Sequence, residues 1–181
     1  RQMCIRDSIN TDSDRVAELF SSKDVDIYYR PQELEGDDVS MNLIIDDWIM
    51  STPKADVYLQ THITNPFVSV DTFRKALRLL PLEEHDSIMG VTPHRVRMWY
   101  QNIPVNFVHG EVIKTQDLEP VYEDNSCMYI FTGKGFYTDG LMSRVGKNPL
   151  LYPIGYPENL DIDWEYQFSL AELILIGMNN D

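Results

Sequence analysis

Positive charge is what this chain most lacks. Its 15 Lys and Arg residues stand against 29 Asp and Glu, a formal net charge of −14, and no Lys/Arg cluster forms a stripe. A surface that tracks the phosphates of duplex DNA or RNA is therefore not expected. An anionic small substrate would be repelled at long range, so a metal ion or a few local cations must supply the attraction. Cysteine is scarce as well: Cys4 and Cys127 lie far apart, with no CxxC or Cys/His spacing. That argues against a disulfide framework or a structural zinc site and points to a reducing, cytoplasmic compartment. No apolar run approaches the ~20 residues of a membrane span. The first residues lack a positively charged start followed by an apolar stretch, so no secretory signal is expected. Internal repeats and low-complexity tracts are also missing.

What remains is the composition of an ordinary soluble globular protein, with 181 residues, 43% of them hydrophobic and 24% charged, enough to bury one core. Arg1 to Ser8 (RQMCIRDS) carries no periodicity and reads like translated adapter sequence. Residues 1–8 are expected to be a non-native leader, and 9–181 one domain.

Along that domain, short β-rich runs alternate with longer helical ones. Asp12 and Ser13 can cap a helix carrying Val16, Leu19 and Phe20, and a strand-like VDIYY follows at Val25 to Tyr29. Ser40 suits the N-cap of a helix running to Met50. Val57 to Gln60 reads as a buried strand, and Ser69 caps a helix in which Val70, Phe73, Ala76, Leu77 and Leu80 recur at helical spacing until Pro81. Ser87 to Val91, Val105 to Val108, Met128 to Phe131 and Leu150 to Ile154 are strand candidates, and Trp164 to Gly177 is a helix. Alternation of this kind predicts a three-layer α/β fold with a mostly parallel sheet. The loop-rich stretch from Met98 to Glu123 is long enough for a substrate lid or a dimerisation arm. Ligands of such sheets bind at the carboxyl ends of strands, so the loops after Tyr29, Leu59 and Ile154 are the places to look.

Three constellations stand out there. In Asp161-Ile162-Asp163, an extended backbone would point both carboxylates to one side, as an Mg²⁺ held by two carboxylates and substrate phosphates requires. The competing reading has Asp163 capping the last helix and Asp161 merely solvated. Gln60, opening the polar loop Thr61 to Phe67, can offer both donor and acceptor to a ribose or sugar hydroxyl, or simply satisfy loop backbone. His62 has no assignable partner as a general base. In the third, Lys114 to Pro120 and Tyr122 to Phe131, polar residues enter a β-type run where Asn125 could project at a sugar, although Asn-Ser is also turn chemistry.

Together these segments resemble the acylneuraminate cytidylyltransferases, the CMP-sialic acid synthetases and their relatives acting on legionaminic and pseudaminic acids. INTDS (Ile9 to Ser13) is similar to the family's strand-plus-TDS segment, and RPQEL with GDDVS (Arg30 to Leu34, Gly36 to Ser40) to its RPxELAxDxxS stretch. LQTHITNPF resembles LQPTSPLR, TQDLEPVY and NSCMYIF resemble RQDLPxxY and NGAIYIF, and LDIDW resembles IDIDT before the last helix. The resemblance implies a Rossmann-like nucleotide-diphospho-sugar transferase fold, usually dimeric. It implies a cytoplasmic enzyme that uses CTP and Mg²⁺ to transfer CMP to a nonulosonic acid, releasing pyrophosphate. By position, Asp161 and Asp163 would hold the metal and act in catalysis. Arg30, Ser40 and Gln60 would bind nucleotide, and Lys114, Gln116, Asn125 and Tyr129 would face the sugar.

The departures are equally specific. The family's first strand and its basic triphosphate-cradling loop are missing from this sequence, so the chain on its own is expected to be inactive and prone to aggregate through unpaired sheet backbone. Glu123 stands where the family often has Arg, a natural carboxylate anchor, which favours a nonulosonic acid other than N-acetylneuraminic acid. A noncatalytic sugar-nucleotide-binding domain of the same fold, or another sugar nucleotidyltransferase, is the alternative.

Overall fold

In the computed structural model, which describes residues 5–179, the chain divides into two units, one ending at Ala55 and one starting at Asp56. The stretch read as one domain from residue 9 contains that division. Of the expected leader, residues 1–4 lie outside the described range, while the Asp7 carbonyl accepts the Asp26 N–H at 2.9 Å and Ser8 begins the first strand.

The first unit is a parallel βαβ turn followed by a helix. Ser8–Thr11 (β1), Asp14–Phe20 (α1) and Asp26–Tyr29 (β2) follow one another, with Ser8 opposite Asp26 and Thr11 opposite Tyr29. Ser13 caps α1 by accepting the Val16 N–H at 3.4 Å, the capping chemistry its side chain predicts. Met41–Ser51 (α2) buries Ile44, Ile45 and Ile49, and its Trp48 indole N–H donates to Ser8 Oγ at 3.1 Å.

The second unit contains, in order, Tyr58–Gln60 (β3), Val70–Leu77 (α3), Ser87–His94 (β4), Trp99–Tyr100 (β5), Ile103–Pro104 (β6), Val121–Phe131 (β7), Gly133–Phe136 (α4), Tyr137–Thr138 (β8), Leu141–Met142 (β9), Pro149–Pro153 (β10) and Glu165–Met178 (α5). Four strands form its main sheet in the order β10, β4, β7, β3. β10 pairs with β4 in parallel, whereas β7 is antiparallel to both β4 and β3. The α/β class thus stands with a smaller parallel share than the alternation predicts. β3, β4 and β10 run one way, and β7 lies reversed inside a split β3–α3–β4 unit. Side-chain alternation has the same period in either direction, so it carries no sign of this reversal.

Burial concentrates on β4 and β7. Ile88, Cys127, Met128 and Ile130 are closed off with Ala76 of α3 and Ile154, and Phe73, Leu77 and Leu150 pack against them. Each fully buried aliphatic side chain contributes roughly 1.5–3 kcal/mol.

Several boundaries differ from the sequence reading. α3 stops at Leu77, before Leu80, because the residue preceding Pro81 is steered out of the helical region. The chain instead tightens, with the Leu79 and Leu80 N–H groups reaching the Ala76 and Leu77 carbonyls at 3.0 and 3.2 Å. β3 is buried only at Tyr58, whose ring stacks on Phe131 with centroids 5.7 Å apart, and Leu59 is exposed, since β7 flanks this short strand on one side only. The strand predicted at Val105 to Val108 is a loop; the hairpin lies before it, where Gln101 and Asn102 take φ of 46° and 65° and turn β5 into β6. Positive φ at both central residues is what a tight hairpin turn needs.

Candidate functional site

The site grows from a break in the β4–β7 ladder. Met89 faces Tyr129, but Val91 faces Asp124, so the extra residues of β7 bulge out opposite Gly90. A Cβ at Gly90 would stand 2.9 Å from Asn125 Oδ1 and from Ile154 Cδ1, which is why glycine fits there. Ser126 holds the bulge with φ of 57°. Inside it, buried Asn125 accepts the Cys127 N–H at 3.3 Å and donates to Thr92 Oγ1 at 3.2 Å. The amide expected to face a sugar is engaged in holding the bulge.

The bulge sets Asp124 and Tyr129 side by side. The Tyr129 hydroxyl donates to Asp124 at 2.7 Å, and burial together with that bond pushes it up to about 12. Across the ladder Tyr129 pairs directly with Gln60, the last residue of β3. The guanidinium of Arg144 lies over the Tyr129 ring, its carbon 3.8 Å from the centroid. Arg144 Nη1 donates to Gln60 Oε1 at 2.8 Å and reaches His62 Nε2 at 3.0 Å, while Gln60 Nε2 reaches the same His62 nitrogen at 2.9 Å. Burial first, and then Arg144, hold His62 below its ordinary value, with Asp161 and Asp124 pulling the other way.

The acidic tripeptide is brought to this cluster by the loop after β3. The Thr64 carbonyl accepts the Ile162 N–H at 2.9 Å, and the Asn65 amide donates to the carbonyls of Asn125 at 3.1 Å and Leu160 at 3.4 Å. Asp161 is half-buried; among the described residues its Oδ1 is shut off from solvent without a hydrogen-bond partner. Asp163 is exposed. Trp164, not Asp163, occupies the N-cap position of α5, where the Gln167 side chain accepts both the Asp163 and Trp164 N–H groups at 2.8 Å. Asp163 is therefore left out of helix capping. The orphaned Asp161 oxygen is a donor of the kind Mg²⁺ takes, an ion held by one or two carboxylates that completes its shell with water and phosphate oxygens.

Gln60, Tyr129 and Asp161 thus come together. The other candidates have surroundings of their own. Lys114 and Gln116 are exposed around the short turn Thr115–Asp117, anchored by buried Leu118 and by Arg95, which donates to the Leu118 carbonyl at 2.5 Å. Arg30 and Ser40 belong to the first unit. There Arg30 donates to Asn10 Oδ1 at 3.1 Å and pairs with Asp12 at 3.7 Å, and Ser40 occupies the α2 N-cap position without a side-chain cap bond. Glu123, at the position where the resemblance expects an arginine, sits 2.6 Å from His94 Nε2. Sequence reasoning missed Arg144 and Asp124. Arg144 is 84 positions from Gln60 with no local signal, whereas Asp124 could have been found by its place beside the Asn125-Ser126 bulge.

No protein-family model matches the chain, and no curated protein sequence does. Solved structures share its fold. A 4-diphosphocytidyl-2C-methyl-D-erythritol synthase from Anaerococcus prevotii superposes with a TM-score of 0.63 at 15% identity, over 91% of this chain and 77% of that one. A CMP:2-keto-3-deoxy-manno-octonic acid synthetase, in complex with CTP, superposes with a TM-score of 0.63 at 12% identity, over 96% of this chain and 82% of that one. The class defined at this point is an α/β protein of the Rossmann-like fold that these two structures share. These two neighbours are, by name, makers of cytidylylated products.

Proposed function

We propose that this protein is a cytidylyltransferase that transfers CMP from CTP to the anomeric hydroxyl of a nonulosonic acid, releasing pyrophosphate. The observation that carries the reading is that an orphaned Asp161 carboxylate and the Arg144–Gln60–Tyr129 cluster act on the same His62 side chain, at the end of β3. A protein of net charge −14 needs such a place to hold an anionic nucleotide and a sugar acid. The fold neighbours favour CTP over other nucleotides, since one of them is named as bound to it.

In this reading Asp161 and Asp163 hold Mg²⁺, and when bound it offsets phosphate charge. The anomeric oxygen attacks the α-phosphorus in line as the bond to the β-phosphate breaks, and Asp161 or Asp163 takes the hydroxyl proton. Gln60 and Tyr129 orient the sugar or ribose. Nucleotide contacts at Arg30 and Ser40, sugar contacts at Lys114 and Gln116, a homodimer and a cytoplasmic setting belong to the same proposal. In its support, no described helix is long and apolar enough to cross a membrane, and Cys127 is a free thiol.

The test is pyrophosphate release by the full-length protein with each of the four nucleoside triphosphates, Mg²⁺ and a panel of nonulosonic acids. Release that needs both CTP and a sugar acid, and that falls by orders of magnitude in Asp161→Ala and Asp163→Ala, is expected. Equal release with another triphosphate would move the protein to a different sugar nucleotidyltransferase. No release with any pair would leave a noncatalytic binding domain.

A further inference from the structure

One nitrogen in the site receives two donors. Gln60 Nε2 lies 2.9 Å and Arg144 Nη1 lies 3.0 Å from His62 Nε2. A guanidinium only donates, and it stays protonated at any ordinary pH. Which way the Gln60 amide points is settled by the same cation: Arg144 Nη1 stands 2.8 Å from Gln60 Oε1, and a flipped amide would set donor against donor. With the amide so fixed, its NH₂ faces His62, and Nε2 must carry the lone pair. The neutral ring then keeps its proton on Nδ1.

That lone pair is a tether. The guanidinium rests on the Tyr129 ring, which stops it tilting, and the Tyr129 hydroxyl is held by Asp124. Rotation of the cation within its own plane is still open, and the bonds to Gln60 Oε1 and His62 Nε2 close it. The His62 ring stands nearly edge-on to Tyr129, at 78° with centroids 6.4 Å apart, so it is braced on the same aromatic as the cation. The charged or titratable groups acting on His62 are Arg144, Asp161 and Asp124, and Tyr129 is the ring against it.

We infer that His62 is a positioning residue whose unprotonated Nε2 orients Arg144, and that Arg144 so oriented selects the carboxylate of the acceptor sugar. The inference rests on the reading of the acceptor as a sugar acid. Arg144 is half-buried, flat and fixed in rotation, and a planar guanidinium of set orientation matches a carboxylate with two parallel N–H donors. His62 acts through it and need not touch substrate. This also disposes of His62 as a general base, because the lone pair such a base would use is already shared by two donors.

Three variants of the full-length protein test it: His62→Ala, His62→Gln and Arg144→Lys. His62→Gln can place an amide oxygen near the lost lone pair. For His62→Ala the KM for the sugar acid should rise about tenfold, the cost of one misdirected charge-assisted bond, while the KM for CTP changes less than about twofold. His62→Gln should recover most of that loss. Wild type should prefer the sugar acid to its carboxamide, and Arg144→Lys should erase the preference. A His62→Ala variant that raises both KM values alike, or a His62→Gln variant no better than Ala, overturns the inference. A second measurement does not depend on turnover: nitrogen NMR of the labelled imidazole should show His62 unprotonated at Nε2 near neutral pH. A proton on Nε2 overturns the inference even if the enzyme is active, whereas the expected tautomer in a protein that activates no sugar acid would remove the proposed acceptor and leave the tether in place.

Discussion

Two segments of the second unit are about equally apolar and meet opposite fates. Cys127 to Phe131 of β7 are all buried, whereas in α5 the side chains of Phe168, Leu173, Leu175, Ile176 and Met178 are exposed and Ala171 is the buried residue. The difference is not composition. β7 has β3 on one edge, β4 on the other and α3 packed over Met128 and Ile130, so each of its side chains meets a facing surface. A helix apolar on every side would ordinarily be enclosed, but among the described residues most of α5 has no such cover. Hydrophobicity provides the drive to leave water; a partner of matching shape decides whether the drive is satisfied.

The comparison breaks most directly at Ile130. Ile130→Ala empties a fully enclosed position, and unfolding in urea should show a loss of about 2–5 kcal/mol. A loss below about 1 kcal/mol would mean that β7 is no better supported than α5. The same burial should appear in alkali. Cys127 is pushed from 9.0 up to about 12 and Tyr129 from 10.0 up to about 12, in both cases first by burial. Both groups are neutral when protonated, so the folded form keeps its protons after the unfolded form has lost them. Stability should be full below about pH 9 and fall as pH rises through the unfolded values toward 12, followed by circular dichroism. Phe at position 129 and Ala at position 127 should flatten that decline. In the native state near neutral pH, Cys127 should resist thiol reagents.

Backbone crowding sharpens the contrast at a smaller scale. At Gly135 of α4 an added Cβ would run into the Asp86 carbonyl oxygen, and Asp86 is itself tied to the Asn148 N–H at 3.1 Å. Gly135→Ala should cost about 1–3 kcal/mol, read from the urea midpoint. At the N-terminus of α3, Glu158 accepts the Ser69 N–H at 3.2 Å and the Thr72 hydroxyl at 2.5 Å. Glu158→Ala removes a carboxylate from a helix start and should cost about 1 kcal/mol, with Glu158→Gln recovering part of it.

These positions also mark what the sequence could and could not disclose. Local patterns were readable: Ser69 and the 70, 73, 76, 77 spacing place α3, the β-branched and aromatic run places β7, and Gln60 falls at a strand end as expected. The hairpin of β8 and β9 turns on Asp139-Gly140, with φ of 53° and 75°, a turn signature that was present and went unread. Other features depend on long-range assembly. The reversal of β7 follows from how the chain returns after the β5–β6 hairpin, and the bulge depends on Gly90 meeting residues 125 to 128. Arg144 joins Gln60, His62 and Tyr129 only once three separate segments are in place. A tripeptide such as Asp161 to Asp163 could suggest a metal, but only packing distinguishes the orphaned oxygen of Asp161 from exposed Asp163.

The smallest expected effect lies on α5 and tests the comparison from its other side. Leu173 is 66% exposed, nearly as wet in the folded chain as in the unfolded one, so most of its transfer free energy is never collected. Leu173→Ser should therefore change the urea midpoint by no more than about 0.5 kcal/mol, part of it the poorer helix propensity of serine. Ile130→Ala, which removes a side chain of similar size, should cost several times more. If Leu173→Ser instead costs about 2 kcal/mol or more at low protein concentration, the helix is covered in solution, and its apolar face contributes to stability as β7 does. Repeating the measurement over a hundredfold range of protein concentration separates the sources of that cover, because a loss that grows with concentration belongs to an association and a constant one to the chain itself.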